Sequence, residues 1–194
     1  MKAPEGAKSG EIWLADAATN VRVQLTADAG YRWPVFDAGA ARIVALRQND
    51  IVEIPLAGGA ARRLAAVEGI SKLIGFDREQ PDRVLVLRTQ QDAEIAVLSL
   101  ATGELTPIRY DADSDGMLLA HLRGNERVYG DTILYLRKET RTDVTGAVLD
   151  WTDVFIKEGG GRPRNISQCD GVDCSQPSLS ADRSRIAFVR AHAD

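Results

Sequence analysis

The sequence predicts an all-β chain folded as a four-bladed β-propeller, and three observations carry that expectation. Short stretches alternate apolar and polar residues with a period of two between Gly, Asp, Asn and Pro turns, and no window reads as a long amphipathic helix. An element that opens with an acid and an apolar pair, then turns into a second strand, recurs with starts at residues 11, 50, 94 and 153. These starts lie 39, 44 and 59 residues apart, close to the spacing of propeller blades. Between the copies lies a second recurring element, an apolar strand that ends in arginine.

Taken in order, the first outer element is Glu11-Ile12-Trp13-Leu14-Ala15-Asp16, returning through Val21-Arg22-Val23-Gln24-Leu25-Thr26. The inner strand Trp33-Pro34-Val35-Phe36 leads to Ile43-Val44-Ala45-Leu46-Arg47. Asp50-Ile51-Val52-Glu53-Ile54-Pro55 then turns at Gly58-Gly59 into residues 61–64. The next unit reads as strands at 72–76, 84–88, 94–99 and 105–108, and the one after it at 117–120, 133–137, 153–157 and 163–167. The last two strands, 177–180 and 186–190, have the character of an inner pair. The chain therefore begins with an outer pair and finishes with an inner pair, and together they complete one blade. An unpaired sheet edge is an aggregation hazard, so the pattern predicts a ring closed by pairing the N-terminal outer strands with the C-terminal inner strands. The alternative is a fragment of a larger propeller, cut between blades.

The 194 residues suit one domain over 11–194, preceded by a small polar linker or tail at 1–10. With 24 Lys plus Arg against 28 Asp plus Glu, 44% hydrophobic and 27% charged residues, collagen-like, coiled-coil and disordered chains are excluded. A weakly acidic chain has no electrostatic reason to bind nucleic acid. No apolar run reaches the roughly 20 residues of a membrane span, so no membrane insertion is expected. No signal peptide is visible at the start.

Cys169 and Cys174 enclose Asp170-Gly171-Val172-Asp173, a loop short enough for a disulfide. One local pair points to an oxidising, periplasmic or other extracytoplasmic compartment; two free thiols in a cytosolic loop are the other reading. Arg47, Arg88, Arg137 and Arg190 occupy one position in each repeat, where four guanidinium forks form a rim suited to an acidic protein surface. They equally suit pairing with the acid that opens the following strand: Asp50, Glu94, Asp153 and, through ring closure, Glu11. Residues 138–150 lengthen one repeat, and long loops often carry function. Trp151 beside that loop, and Arg32 with Trp33 on another inner strand, are candidate anchors for a partner or, for the tryptophans, blade-to-blade packing.

Asp111, Asp113 and Asp115, with Gly116, have the alternation of a calcium loop, but Leu119 and Leu122 stand where the closing acid is needed. Calcium is thus the only cofactor suggested, and a solvated acidic turn explains the residues as well. No G-x-S-x-G occurs, the glycines at 159–161 join two strands, and no base is placed beside a nucleophile, so the expectation is that the chain is not an enzyme.

Residues 176–188, Gln-Pro-Ser-Leu-Ser-Ala-Asp-Arg-Ser-Arg-Ile-Ala-Phe, resemble the P-x-x-S-P-D-G-x-x-I-A-F signature of TolB-like, WD-repeat-like propellers. Ala181 stands for the usual Pro and Ser184 near the usual Gly. Residues 12–16 and 51–54 are similar to that family's outer strand, and Gln24-Leu25-Thr26 to its ending. The resemblance implies a platform that binds another protein, in the bacterial envelope as inhibitor, immunity-type protein or assembly scaffold. It also admits a sensory or substrate-gating propeller domain of a larger regulator or peptidase.

Overall fold

The structure is a computed structural model that describes residues 9–37, 39, 41–76, 80–89, 93–108, 127–129 and 131–191. Among these residues every regular element is a strand, and no helix is long and apolar enough to cross a membrane. The strands are β1 (Gly10–Asp16), β2 (Arg22–Gln24), β3 (Tyr31–Phe36), β4 (Arg42–Arg47), β5 (Asp50–Pro55) and β6 (Arg62–Ala66). They continue as β7 (Ile70–Phe76), β8 (Arg83–Thr89), β9 (Ala93–Ser99), β10 (Leu105–Pro107) and β11 (Arg127–Tyr129). The last are β12 (Thr132–Thr142), β13 (Val148–Glu158), β14 (Arg164–Asn165), β15 (Cys174–Leu179) and β16 (Arg185–Ala191). Pairing is antiparallel throughout and groups them as β15-β16-β1-β2, β3-β4-β5-β6, β7-β8-β9-β10 and β11-β12-β13-β14. The first two groups touch edge to edge through a single bridge, Gly10 to Tyr31.

The head and tail of the described chain zip together. Gly10 faces Ala191, Glu11 faces Arg190, and the ladder runs without a break to Asp16 opposite Arg185. Gly10, placed by the sequence in the leading segment, is the first rung. A Cβ there would run into the carbonyl of Arg190, so only glycine lets the two backbones approach. At the far end Asp16 accepts the Thr19 N–H at 2.7 Å and the Ala18 N–H at 3.1 Å, and these bonds hold its carboxyl below the ordinary value. Asn20 follows with φ +61, a left-handed position that asparagine tolerates.

Alternation dictates where the sheets pack. Ile12, Ala187 and Val189 on one side meet Tyr31, Ile43, Ala45 and Ile54. The opposite face of the head-to-tail sheet, with Ala15, Ile186 and Phe188, meets Leu134, Val154, Ile156 and Ile166. Val35, Val44 and Leu46 meet Leu73, Val84, Val86 and Leu98. Each core is a two-faced sandwich layer in which apolar side chains from facing strands interdigitate.

These three cores order the four groups as an arc: β11–β14, then the head-to-tail sheet, then β3–β6, then β7–β10. The expected closed ring is therefore corrected. The head-to-tail pairing exists, but it completes one sheet in the middle of the arc, and among the described residues the sheets are not closed into a ring. A ring of four would need a fourth core between β7–β10 and β11–β14, and none joins them among the described residues. The fold shown is an all-β, propeller-like array of antiparallel sheets.

Candidate functional site

In the unit β4–β5 the chain turns back directly after the second strand; β12 and β13 do not. Their ladder continues from Arg137 opposite Asp153 through five further pairs, Lys138–Thr152 to Thr142–Val148. At about 3.4 Å per residue this extends the sheet by about 17 Å. Residues 138–150, read from sequence as a loop, are thus a two-stranded ribbon. Its β-branched strand residues, Thr140, Thr142 and Val148, favour the pleated conformation. Asp143 makes the turn by accepting the Thr145 hydroxyl at 2.6 Å, the Thr145 N–H at 2.8 Å and the Ala147 N–H at 3.0 Å. The Thr145 hydroxyl is the strongest influence holding that carboxyl below its usual range. On the ribbon's flank Asp150 takes Lys138 Nζ at 2.7 Å and the Thr140 hydroxyl at 2.8 Å.

The tip is apolar and unburied. Val144 is fully exposed, and Val148 and Leu149 beside it are exposed as well. The ribbon also carries the charged residues Lys138, Arg141, Asp143 and Asp150. Exposed apolar residues interspersed with polar ones are common in protein-binding surfaces.

The base is rigid. Asp153, 2% exposed, is surrounded by donors. Its Oδ1 accepts the Ser167 hydroxyl and the Cys169 N–H, each at 2.7 Å, and its Oδ2 accepts Trp151 Nε1 at 3.0 Å and Asn165 Nδ2 at 2.9 Å. Burial alone would raise this carboxyl, but the four donors outweigh it and the pKa is lowered. Beside it the Cys169–Cys174 disulfide is formed, with Cα atoms 6.2 Å apart. Its loop braces the ribbon: Asp173 accepts the Thr152 N–H at 2.8 Å, and Asp170 lies 3.6 Å from Arg141. Replacing both cysteines by serine is expected to lower stability by about 2 kcal/mol, the chain-entropy value for so short a loop. Urea unfolding with and without reductant checks this, and an unchanged midpoint would contradict it.

The four repeat arginines sit at corresponding register positions: Arg47 opposite Asp50, Arg88 opposite Glu94, Arg137 opposite Asp153, Arg190 opposite Glu11. Only Arg88 takes its opposite acid, at 3.0 Å. Arg47 turns to Asp28 and lies over the Tyr31 ring, leaving Asp50 to Arg63 at 2.8 Å. Arg137 bonds Glu139 at 2.6 Å and covers Phe155 at 3.9 Å, because Asp153 is already saturated by its buried donors. Arg190 lies 5.5 Å over the Trp13 ring. Arg32 donates to the Gln48 carbonyl at 3.2 Å.

Both candidate tryptophans are in the cores. Trp33 is 8% exposed, has φ +52, donates its backbone N–H to Gln176 Oε1, and carries Lys72 Nζ 4.5 Å over its ring. Trp151 is 9% exposed and packs among Leu134, Ile166 and Phe188. The calcium candidates Asp111, Asp113 and Asp115 lie outside the described residues. Among the described residues no group of three or more His, Cys, Asp or Glu is placed to hold a metal ion.

What the sequence reading missed is the apolar tip of Val144, Val148 and Leu149. The signal was present as alternation on both sides of Asp-Val-Thr-Gly, a turn sequence with glycine in the left-handed region, where Gly146 has φ +86.

No family model matches the chain, and no curated protein matches it. Solved structures do. TolB of Agrobacterium tumefaciens is similar over 91% of this chain and 59% of its own, at 12% identity and a TM-score of 0.45. TolB from Acinetobacter baumannii is similar over 96% of this chain and 48% of its own, at 15% identity and a TM-score of 0.39. The chain thus spans about half the length of these two proteins. The tricorn protease is similar over 94% of this chain and 20% of its own, at 13% identity and a TM-score of 0.39. The expectation that the chain is not an enzyme is corrected here. The tricorn protease, an acylaminoacyl peptidase and the AtxE2 isopeptidase stand among the similar structures, each at low identity.

Proposed function

We propose that this chain is a four-bladed, propeller-type module that binds another protein through the β12–β13 ribbon and the arginine-bearing edge at its base. The observation that carries the reading is the ribbon itself. It is the longest strand pair among the described residues, its apolar tip is exposed, and a disulfide loop and a saturated buried carboxylate hold its base. A two-stranded projection so braced presents Val144, Val148 and Leu149 with little ordering entropy left to lose on binding. Its outer edges, beyond the short partners β11 and β14, offer backbone groups for strand addition. Arg137 at the root, with Arg190 on the adjoining sheet and Arg47 and Arg88 on the two sheets beyond it, suits an acidic rim on the partner; exposed pairs such as Arg47 with Asp28 cost only about 0–1 kcal/mol to exchange. The disulfide supports an extracytoplasmic site of action.

The test is affinity purification from an envelope fraction, identification of the captured protein, and titration of that purified protein against wild type and variants. Val144→Asp with Val148→Asp is expected to weaken binding at least about a hundredfold, as for central apolar anchors. Arg137→Ala should weaken it about tenfold. Unchanged affinity in the doubly substituted ribbon, with an unchanged melting curve, would refute the reading.

A further inference from the structure

A groove open to solvent lies away from the ribbon, where the head of the chain meets the segment after β14. Its volume is about 420 Å³, within the roughly 300–1,000 Å³ typical of ligand pockets. Its floor is aromatic: Trp13 on β1 and Phe188 on β16 are register partners in the head-to-tail ladder. The Trp13 indole is fixed by donating to Glu11 Oε2 at 3.1 Å. One wall is Arg22, whose guanidinium donates to the Ser167 carbonyl at 2.7 Å and the Gln168 carbonyl at 3.1 Å, tying the two sheets together.

The two ends differ in chemistry. At one end the Arg190 guanidinium is half-buried over the Trp13 ring. At the other, Asn20 donates its amide N–H to the Asn165 carbonyl at 3.2 Å, which fixes the orientation of the amide. Its carbonyl oxygen Oδ1 is buried and accepts no hydrogen bond. That oxygen is sealed from the groove, and the Asn20 amide is part of its wall. Along β1 the ends are separated by the stretch from Glu11, opposite Arg190, to Asp16, where the Asn20 turn begins. That is about 16 Å at about 3.3 Å per residue, the reach of four or five residues of extended peptide.

We propose that this groove binds the carboxylate end of a short extended peptide. The terminal carboxylate meets the Arg190 fork, an arrangement that favours two parallel hydrogen bonds. An apolar side chain lies on Trp13, and the rest of the peptide runs toward the wall formed by Asn20 and Arg22. Glu11, beside Arg190 in register, limits the positive charge at that end, which suits a single carboxylate better than a polyanion. The site goes beyond the ribbon reading and stands or falls separately from it.

The experiment uses the whole ¹⁵N-labelled chain and the probe acetyl-Ala-Leu-Ala-Leu with a free carboxylate. The probe should shift the Trp13 indole N–H resonance saturably, with a Kd below about 1 mM. Its C-terminal carboxamide, and the Arg190→Gln variant with the free acid, should each bind at least about tenfold more weakly. Amide dispersion checks that the variant is folded. The proposal is overturned if the free acid gives no saturable shift, if the carboxamide binds equally well, or if acetate alone reproduces the shift at the same concentration.

Discussion

Removal of residues 1–26 is expected to abolish cooperative folding. The deletion takes away β1 and β2, the buried Ile12 and Ala15, and a seven-rung ladder with β16. It strips one of the three inter-sheet cores of Ile12 and another of Ala15, and exposes the flanks of Phe188 and Val189. A domain's net stability is about 5–15 kcal/mol, and losing a central strand that serves two cores exceeds what such a margin tolerates. Near-ultraviolet circular dichroism and thermal unfolding read the result. A synthetic peptide of residues 9–26 should restore the native signal in trans, since its contacts are with the remaining chain. A truncated chain that still melts in one sharp transition near the wild-type temperature would overturn this.

The second large effect is expected at Asp153. Both carboxylate oxygens accept two donors each, so the site has no room for a donating group. In Asp153→Asn the amide must turn its NH2 toward two N–H groups or toward the Ser167 hydroxyl and the Cys169 N–H. We expect a loss of about 3 kcal/mol at neutral pH, from buried donors left without acceptors. The pH dependence has a definite sign. Because the folded pKa is lowered, the wild-type advantage is fully present above the unfolded carboxylate value of about 3.9 and is lost as pH falls through the folded one. Urea midpoints of wild type and variant should therefore be well separated at pH 7 and converge in acid. A separation that persists unchanged below the folded pKa would argue against the ionised network.

Much of the fold was legible because strand alternation and turn chemistry are local. Ile43 to Arg47, Glu94 to Ser99 and Ile186 to Arg190 appear as strands in the register that their alternation demands. The head-to-tail join was legible for a different reason: an outer pair at one end of the sequence and an inner pair at the other are complementary halves. The arrangement of sheets around one another was not, since it depends on which faces meet, and apolar alternation marks a face without naming its neighbour. Side-chain partnerships were hardest. Arg47 and Arg137 leave their register partners because Asp28 and Glu139 are within reach and Asp153 is committed elsewhere. In the signature segment the left-handed residue is Arg183, with φ +61, one place before the Ser184 that the sequence comparison aligned near glycine. Asp182 stabilises that turn by accepting the Ser180 hydroxyl, the Ser184 N–H and the Ser184 hydroxyl, which hold its pKa at about 2.

The β1–β16 ladder has a mechanical consequence. Gly10 and Ala191 are partners at the same end of an antiparallel pair, so tension applied at these two residues is borne by one rung at a time. The strands peel apart like a zipper and do not resist together as they would in shear. The seam that unites head and tail is therefore the first to yield to a tug.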